Sequence, residues 1–270
     1  MKALLICPAE RKPVAALAEN VPLAVLPILG KALIEYWLEY LVALGARDIC
    51  ISAGDRYEDV LACVGDGARW GLRLTVFPEI RELSSAEARA KYRDAGDSNW
   101  LPAPHDALLM DHLPPQPEFP LFASYAAWFA AATNWLPQAA TPDRIGVREI
   151  KPGVWVGQRT RVAPSAELRA PCWLGEYVYI GGDTVIGPNV ILENKAFVDR
   201  GVTVANSLVG PETFVGAFTE IHNSIAWGST LVNWKRESCL KVPDAFLLCP
   251  LKSPAPLFTS AFQPSEVKLP

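Results

Sequence analysis

Every sixth residue from Val156 to Val204 is Val, Leu or Ile, nine positions in phase (156, 162, 168, 174, 180, 186, 192, 198 and 204). After the loss of one residue the series resumes at Val209, Val215, Ile221 and Trp227. A second series, offset by four, is small or β-branched: Thr160, Ala166, Cys172, Val178, Thr184, Val190, Ala196 and Val202, closed by Leu208. A period of six fits neither a helix nor a simple strand. It predicts short strands wound into a β-helix of hexapeptide repeats. Each six-residue unit then forms one flat side of a triangular coil. Its large aliphatic residue points inward and stacks on the equivalent residue one coil on. The small residue leaves room at the corner, and the glycine that follows the apolar residue at 157, 175, 181, 187, 210 and 216 tolerates the turn. Three units close a coil, so the stretch holds about four coils. Such solenoids serve catalysis, assembly or plain support, so the repeat speaks to architecture and leaves function open.

The chain has 270 residues, half of them hydrophobic, enough for one large or two modest domains with a real core. A net charge of −4 argues against a nucleic-acid partner. No apolar run approaches the roughly 18 residues that span a bilayer. The start, Met1 to Ile6, carries one charge on a run too short for a signal peptide and reads as a buried strand. Six cysteines (7, 50, 63, 172, 239 and 249) form no CxxC pair and lie mostly in apolar segments. Buried free thiols in a cytoplasmic setting are expected.

The N-terminal half alternates strands (2–7, 48–53, 72–77) with helices (31–44, 56–64), which predicts a parallel sheet with crossover helices. Ligands on such sheets bind beyond the carboxyl ends of the strands, here the loop after residue 7. The mixed charges of residues 80–106, Glu82, Glu87 and Arg89 among them, predict a short exposed helix and loop. A helix over 121–136 carries Tyr125, Trp128, Phe129 and Trp135 as core. The expected division is an α/β domain over 1–137, a linker over 138–152, the β-helix over 153–234 and an extended tail over 235–270 that covers the open strand edges of the last coil or a neighbour.

The stretch Glu19-Asn20-Val21-Pro22-Leu23-Ala24-Val25-Leu26-Pro27-Ile28-Leu29-Gly30-Lys31-Ala32-Leu33-Ile34-Glu35-Tyr36-Trp37-Leu38, with Gly65-Asp66-Gly67 further on, resembles the start of the sugar-1-phosphate nucleotidyltransferases. Their usual pattern is E-N-x-P-K-P-L-L-P-V-x-G-K-P-L-I-E-Y-x-L, followed by G-D-G-x-x-x-G. The resemblance covers roughly residues 2–77 and 153–232. It implies a Rossmann-like α/β domain, here truncated, followed by an all-β, left-handed parallel β-helix.

The departures bear on activity. The family's phosphate loop, G-G-x-G-T-R, offers glycine amides to the nucleotide phosphates and an Arg to the leaving pyrophosphate. Those six places hold Pro8, Ala9, Glu10, Arg11, Lys12 and Pro13. No glycine remains, two residues have no N–H to donate, and Pro13 stands where the resemblance puts the catalytic Arg. Leu23 replaces the family's Lys, and Ser84-Ser85-Ala86-Glu87 replaces a G-T-A-G motif. Glu10, Arg11 and Lys12 are the candidate nucleotide-binding residues, with Arg11 and Lys12 also the catalytic candidates in a shifted alignment. The family's Mg²⁺ needs an Asp at a strand end. Asp111, after Ala107-Leu108-Leu109-Met110, is the candidate, and it reads equally as an Asp opening a turn. Mg²⁺ is implied only for an active enzyme. The sugar-binding half of the family has only residues 112–137 in its place.

A hexapeptide acyltransferase is the other catalytic possibility, using a His as base toward an acyl-coenzyme A acceptor. Of three histidines, His105 and His112 lie in the Pro-rich middle and His222 sits at a coil corner, as base or as solvated surface. The favoured reading is a catalytically inactive nucleotidyltransferase-like protein with a scaffold, regulatory or nucleotide-sugar-sensing role in polysaccharide or nucleotide-sugar metabolism. The alternatives are an active divergent nucleotidyltransferase and an acyltransferase. A homo-oligomer, a trimer first, is expected, with a nucleotide, a nucleotide sugar or a partner protein as further ligand.

Overall fold

Four parallel strands form the N-terminal sheet: β1 (Lys2–Ile6), β2 (Asp48–Ala53), β3 (Arg73–Pro78) and β4 (Asp106–Leu109), in the order β3-β2-β1-β4. The structure is a computed structural model and describes residues 1–92, 106–138 and 146–251. Both faces of β1 are buried, so it reads as a continuous apolar run. Ala3 and Leu5 face a core shared with helices α1 (Leu33–Ala43) and α2 (Tyr57–Val64). Leu4 and Ile6 face Ala88 and Tyr92 on the other side. Ala88 belongs to α3 (Ser85–Lys91), the short exposed helix expected there, and is its one buried residue, packed on the second face of the sheet. Ser84 and Glu87 form a capping box at its start, each side chain accepting from the other's backbone N–H. Helix α4 (Tyr125–Trp135) buries Tyr125, Trp128, Phe129 and Trp135, as the aromatic stripe predicts.

From Arg148 onward the strands fall into sheets of eight, five and four. The chain visits the three in rotation: Val154–Val156, Arg161–Val162 and Glu167–Leu168, then Cys172–Leu174 beside the first. Val154 pairs with Cys172 and Cys172 with Val190, each 18 residues on. After the lost residue the step is 17, as Val190 with Ser207 and Leu208 with Ile225. The sixth-residue series from Val156 to Ile221 gathers in one interior cluster. This parallel-rich winding is compatible with a β-helix.

Two residues, the last of each series, point elsewhere. The residue is lost at the corner before Ser207, so Ser207 takes the interior place and Leu208 turns outward. Trp227 ends the strand Ser224–Trp227 at a hairpin with Thr230–Asn233 and also packs outside the interior cluster. Residues 148–151, expected in the linker, form a strand antiparallel to Val154–Val156. In the tail, Ser238–Lys241 extends the eight-stranded sheet and Leu248–Pro250 pairs antiparallel with Thr213–Val215. Both cover strand edges that would otherwise stay open. Residues 252–270 lie outside the described residues.

The two halves share one core. The outward row of the eight-stranded sheet, Trp155, Trp173, Ile191, Leu208, Ile225 and Val232, pairs residue to residue across the strands. All six enter the same buried cluster as α1, α2 and α4. A tight hairpin locks the contact. Strands Pro27–Ile28 and Lys31–Ala32 are joined by Leu29 and Gly30, both at positive φ (52° and 82°). The fully buried Glu193 accepts from both turn amides, Leu29 N at 2.7 Å and Gly30 N at 2.8 Å. Leu29 holds a backbone region that favours glycine, and the paired carboxylate offsets that cost. Nearby, Phe129 of α4 stacks on Trp234 at 4.8 Å.

All six cysteines are free, and Cys7, Cys50 and Cys172 are buried. Burial pushes the Cys172 thiol up to about 12, against inherent reactivity. Among the described residues no helix is long and apolar enough to cross a membrane.

Candidate functional site

A cleft of about 590 Å³ opens at the carboxyl ends of β1, β2 and β3, where a parallel sheet binds ligands. Ala9 and Glu10 follow β1, Gly54 to Arg56 follow β2, and Ile80 to Glu82 follow β3. The short helix Ala15–Ala18 and Glu19 complete the wall. Four carboxylates (Glu10, Glu19, Asp55 and Glu82) line it against two guanidiniums (Arg56 and Arg81).

The candidate residues of the loop separate in space. Arg11 is half-buried and forms a forked pair with Glu82, Nη1 to Oε2 at 2.7 Å and Nη2 to Oε1 at 2.8 Å. The amide of Ala9 donates to the same Oε2 at 2.7 Å. Arg11 Nη1 also donates to the Ala9 carbonyl at 3.1 Å. The carboxylate of Glu82 therefore occupies the corner between the Ala9 amide and the Arg11 guanidinium. This corrects the reading of Glu82 as part of an exposed charged insertion. Lys12 opens a 3-10 turn, Lys12–Val14, with its side chain exposed, and Glu10 is exposed at the cleft. The other two guanidiniums are also engaged. Arg56, in the left-handed region at φ 38°, donates to the Ala18 carbonyl at 2.6 Å and to Asp55. Arg81 is paired with Glu87.

Burial works against the Glu82 carboxylate, but the hydrogen bonds from Arg11 and the Ala9 amide outweigh it and hold its pKa below the usual glutamate value. The same hydrogen bond, opposed by burial, raises Arg11. A depressed folded-state pKa contributes stability above the unfolded value, near 4.5, that is lost as pH falls through the folded one. Glu82→Gln is expected to lack this component. In acid unfolding, wild type should lose stability relative to Glu82→Gln from about pH 4.5 downward. Parallel pH profiles would contradict the pairing.

Asp111 follows β4, half exposed, with Oδ1 2.7 Å from Nδ1 of His112. His112 packs edge-on against Trp37, whose Nε1 donates to the His112 carbonyl at 3.0 Å. Among the described residues no group of three or more His, Cys, Asp or Glu gathers as metal ligands. Asp111 has the His112 imidazole as its hydrogen-bond partner and acts on the Arg11 guanidinium, a set that does not fit a protein-held Mg²⁺. His222 stands half exposed at the end of the strand Glu220–His222, Nε2 3.8 Å from a Glu220 carboxylate oxygen. His105 lies outside the described residues.

No family model matches the chain. The similarity found is to glucose-1-phosphate thymidylyltransferases. The enzyme of that name from Streptomyces griseus is 30% identical over 102 residues, 37% of this chain and 29% of the relative. Its counterpart from Streptomyces antibioticus is 30% identical over 88 residues, 33% of this chain and 25% of the relative. The matched segments thus span less than a third of either relative. They support a sugar-nucleotidyltransferase-like relationship, the one indicated by the Glu19–Leu38 motif.

Neither the Glu82 nor the Glu193 pairing was recognisable from local sequence. Glu82 meets Arg11 across 71 residues, and Glu193 meets Leu29 across 164. The one signal available for Glu193 was an acidic residue directly after an inward Leu192 in an otherwise apolar strand.

Proposed function

We propose that this chain is a nucleotidyltransferase-like protein without turnover, in which a left-handed β-helix scaffolds assembly or a partner in nucleotide-sugar or polysaccharide metabolism. One observation carries the reading. The guanidinium of the loop, Arg11, is paired with Glu82 at the mouth of a cleft that presents more carboxylates than guanidiniums. A nucleoside triphosphate entering there meets like charge, and charge on a leaving pyrophosphate finds the Arg11 guanidinium already paired and the Lys12 side chain outside the cleft lining. Pro13 in place of the expected Arg supports the same conclusion. The scaffold role is supported by an aromatic row on the outer face of the five-stranded sheet. Tyr179 stacks on Phe197 at 4.4 Å and Phe197 meets Phe214 at 5.6 Å, with Tyr179 partly exposed. A flat apolar face of this kind suits side-by-side packing of copies, a trimer being the first state to test.

The test is pyrophosphate release from each nucleoside triphosphate with Mg²⁺ and a panel of sugar-1-phosphates. The expected result is none above the protein-free control. Release at an enzyme-like rate, on the order of 1 s⁻¹ or more, would establish an active divergent nucleotidyltransferase instead.

A further inference from the structure

The geometry points to an oxyanion seat at the Ala9–Arg11 corner that the protein fills with its own Glu82, a phosphate-class anion being the ligand for which that carboxylate stands in. Three donors converge on the carboxylate: the Ala9 amide, Arg11 Nη1 and Arg11 Nη2, all within 2.7–2.8 Å. A backbone N–H beside a forked guanidinium fits phosphate as well as carboxylate. The seat opens on the cleft, since Ala9 and Glu82 both line it.

The segment that delivers Glu82 is braced at both ends. Gly54, at the end of β2, lies directly under it: a Cβ there would stand 2.9 Å from the Arg81 carbonyl carbon and 3.1 Å from the Glu82 nitrogen. Arg81 is tied to Glu87 and to the Glu82 carbonyl. Upstream, Glu79 is held by Lys91 and by the Tyr92 hydroxyl. Glu82 is thus presented to the loop by a fixed strap. Its removal also changes the charge balance. With Glu82 present, four carboxylates face two guanidiniums in the lining. Without it Arg11 is released toward the cleft, and three carboxylates face three guanidiniums.

This inference rests on reading loop 8–13 as a former nucleotide site, yet its test uses neither nucleotide nor sugar phosphate. Turnover in the release assay would leave it standing, and its failure would leave the inactive reading standing. The experiment is calorimetric titration of the full chain with inorganic pyrophosphate. Glu82→Ala is expected to bind at least tenfold more tightly than wild type. The double variant Glu82→Ala, Arg11→Ala is expected to return to the wild-type level. Should the alanine variant fail to fold, Glu82→Gln keeps the side-chain volume while removing the charge, and it too is expected to bind more tightly. Equal affinity of wild type and a folded Glu82 variant would overturn the proposal. So would tight binding that survives loss of Arg11.

Discussion

Trp173→Ala is expected to cost about 3–5 kcal/mol, the range for truncating a buried aromatic. Trp173 is 1% exposed and sits in the outward row where the two halves meet. Its ring closes on the hairpin tip, since a Cβ on Gly30 would stand 3.0 Å from its Cη2 atom. Rigid neighbours on both sides, a hydrogen-bonded sheet and a tight turn, leave little scope to collapse into the space. Thermal and denaturant unfolding, followed by far-ultraviolet dichroism and by fluorescence, should show the loss in one shared transition. A loss below about 1 kcal/mol, or early unfolding of one half alone, would contradict a common core. Trp173→Phe should cost clearly less. It keeps most of the apolar contact, and it removes an indole N–H that has no hydrogen-bond partner among the described residues.

Glu193→Ala is expected to cost about 2–6 kcal/mol, because it orphans two amides at roughly 1–3 kcal/mol each. The amides belong to Leu29 and Gly30, and the carboxylate is fully buried. Leu29 at φ 52° gains from any change that lets the turn relax, so the hairpin should open first. Amide hydrogen exchange at residues 27–32 reads this directly: protection should fall there more than in β1 or β2. Asn194→Ala is the control. Its Nδ2 donates to the Gly30 carbonyl at only 3.4 Å, so the hairpin should lose little. Unchanged exchange at the hairpin in Glu193→Ala would show that the contact is incidental.

The inward series was legible because each of its residues pairs with its own equivalent 18 or 17 residues on, and the spacing itself encodes the contact. The register after the lost residue was not, since the series alone does not say at which corner the residue drops out. Leu208 therefore took the place that belongs to Ser207. The outward row was missed for a different reason. Trp155, Trp173, Ile191, Leu208 and Ile225 are the middle residues of short strands, and a middle residue normally faces solvent. Their recurrence at 18, 18, 17 and 17 residues was present in the sequence. It shows only when whole coils are compared. At the cleft, the absence of glycine from loop 8–13 was plain once the resemblance was laid on the sequence. That Glu82 pairs with Arg11 was not, because the pair joins segments after two different strands and depends on their parallel order.

The most direct measurement is pyrophosphate release by wild type and Glu82→Ala side by side, with nucleoside triphosphate, Mg²⁺ and sugar-1-phosphate. Both proteins should remain at the level of the protein-free control, even where the variant binds pyrophosphate, because clearing the seat does not replace Pro13 with a cation. Release by wild type at an enzyme-like rate would contradict the loss of catalysis.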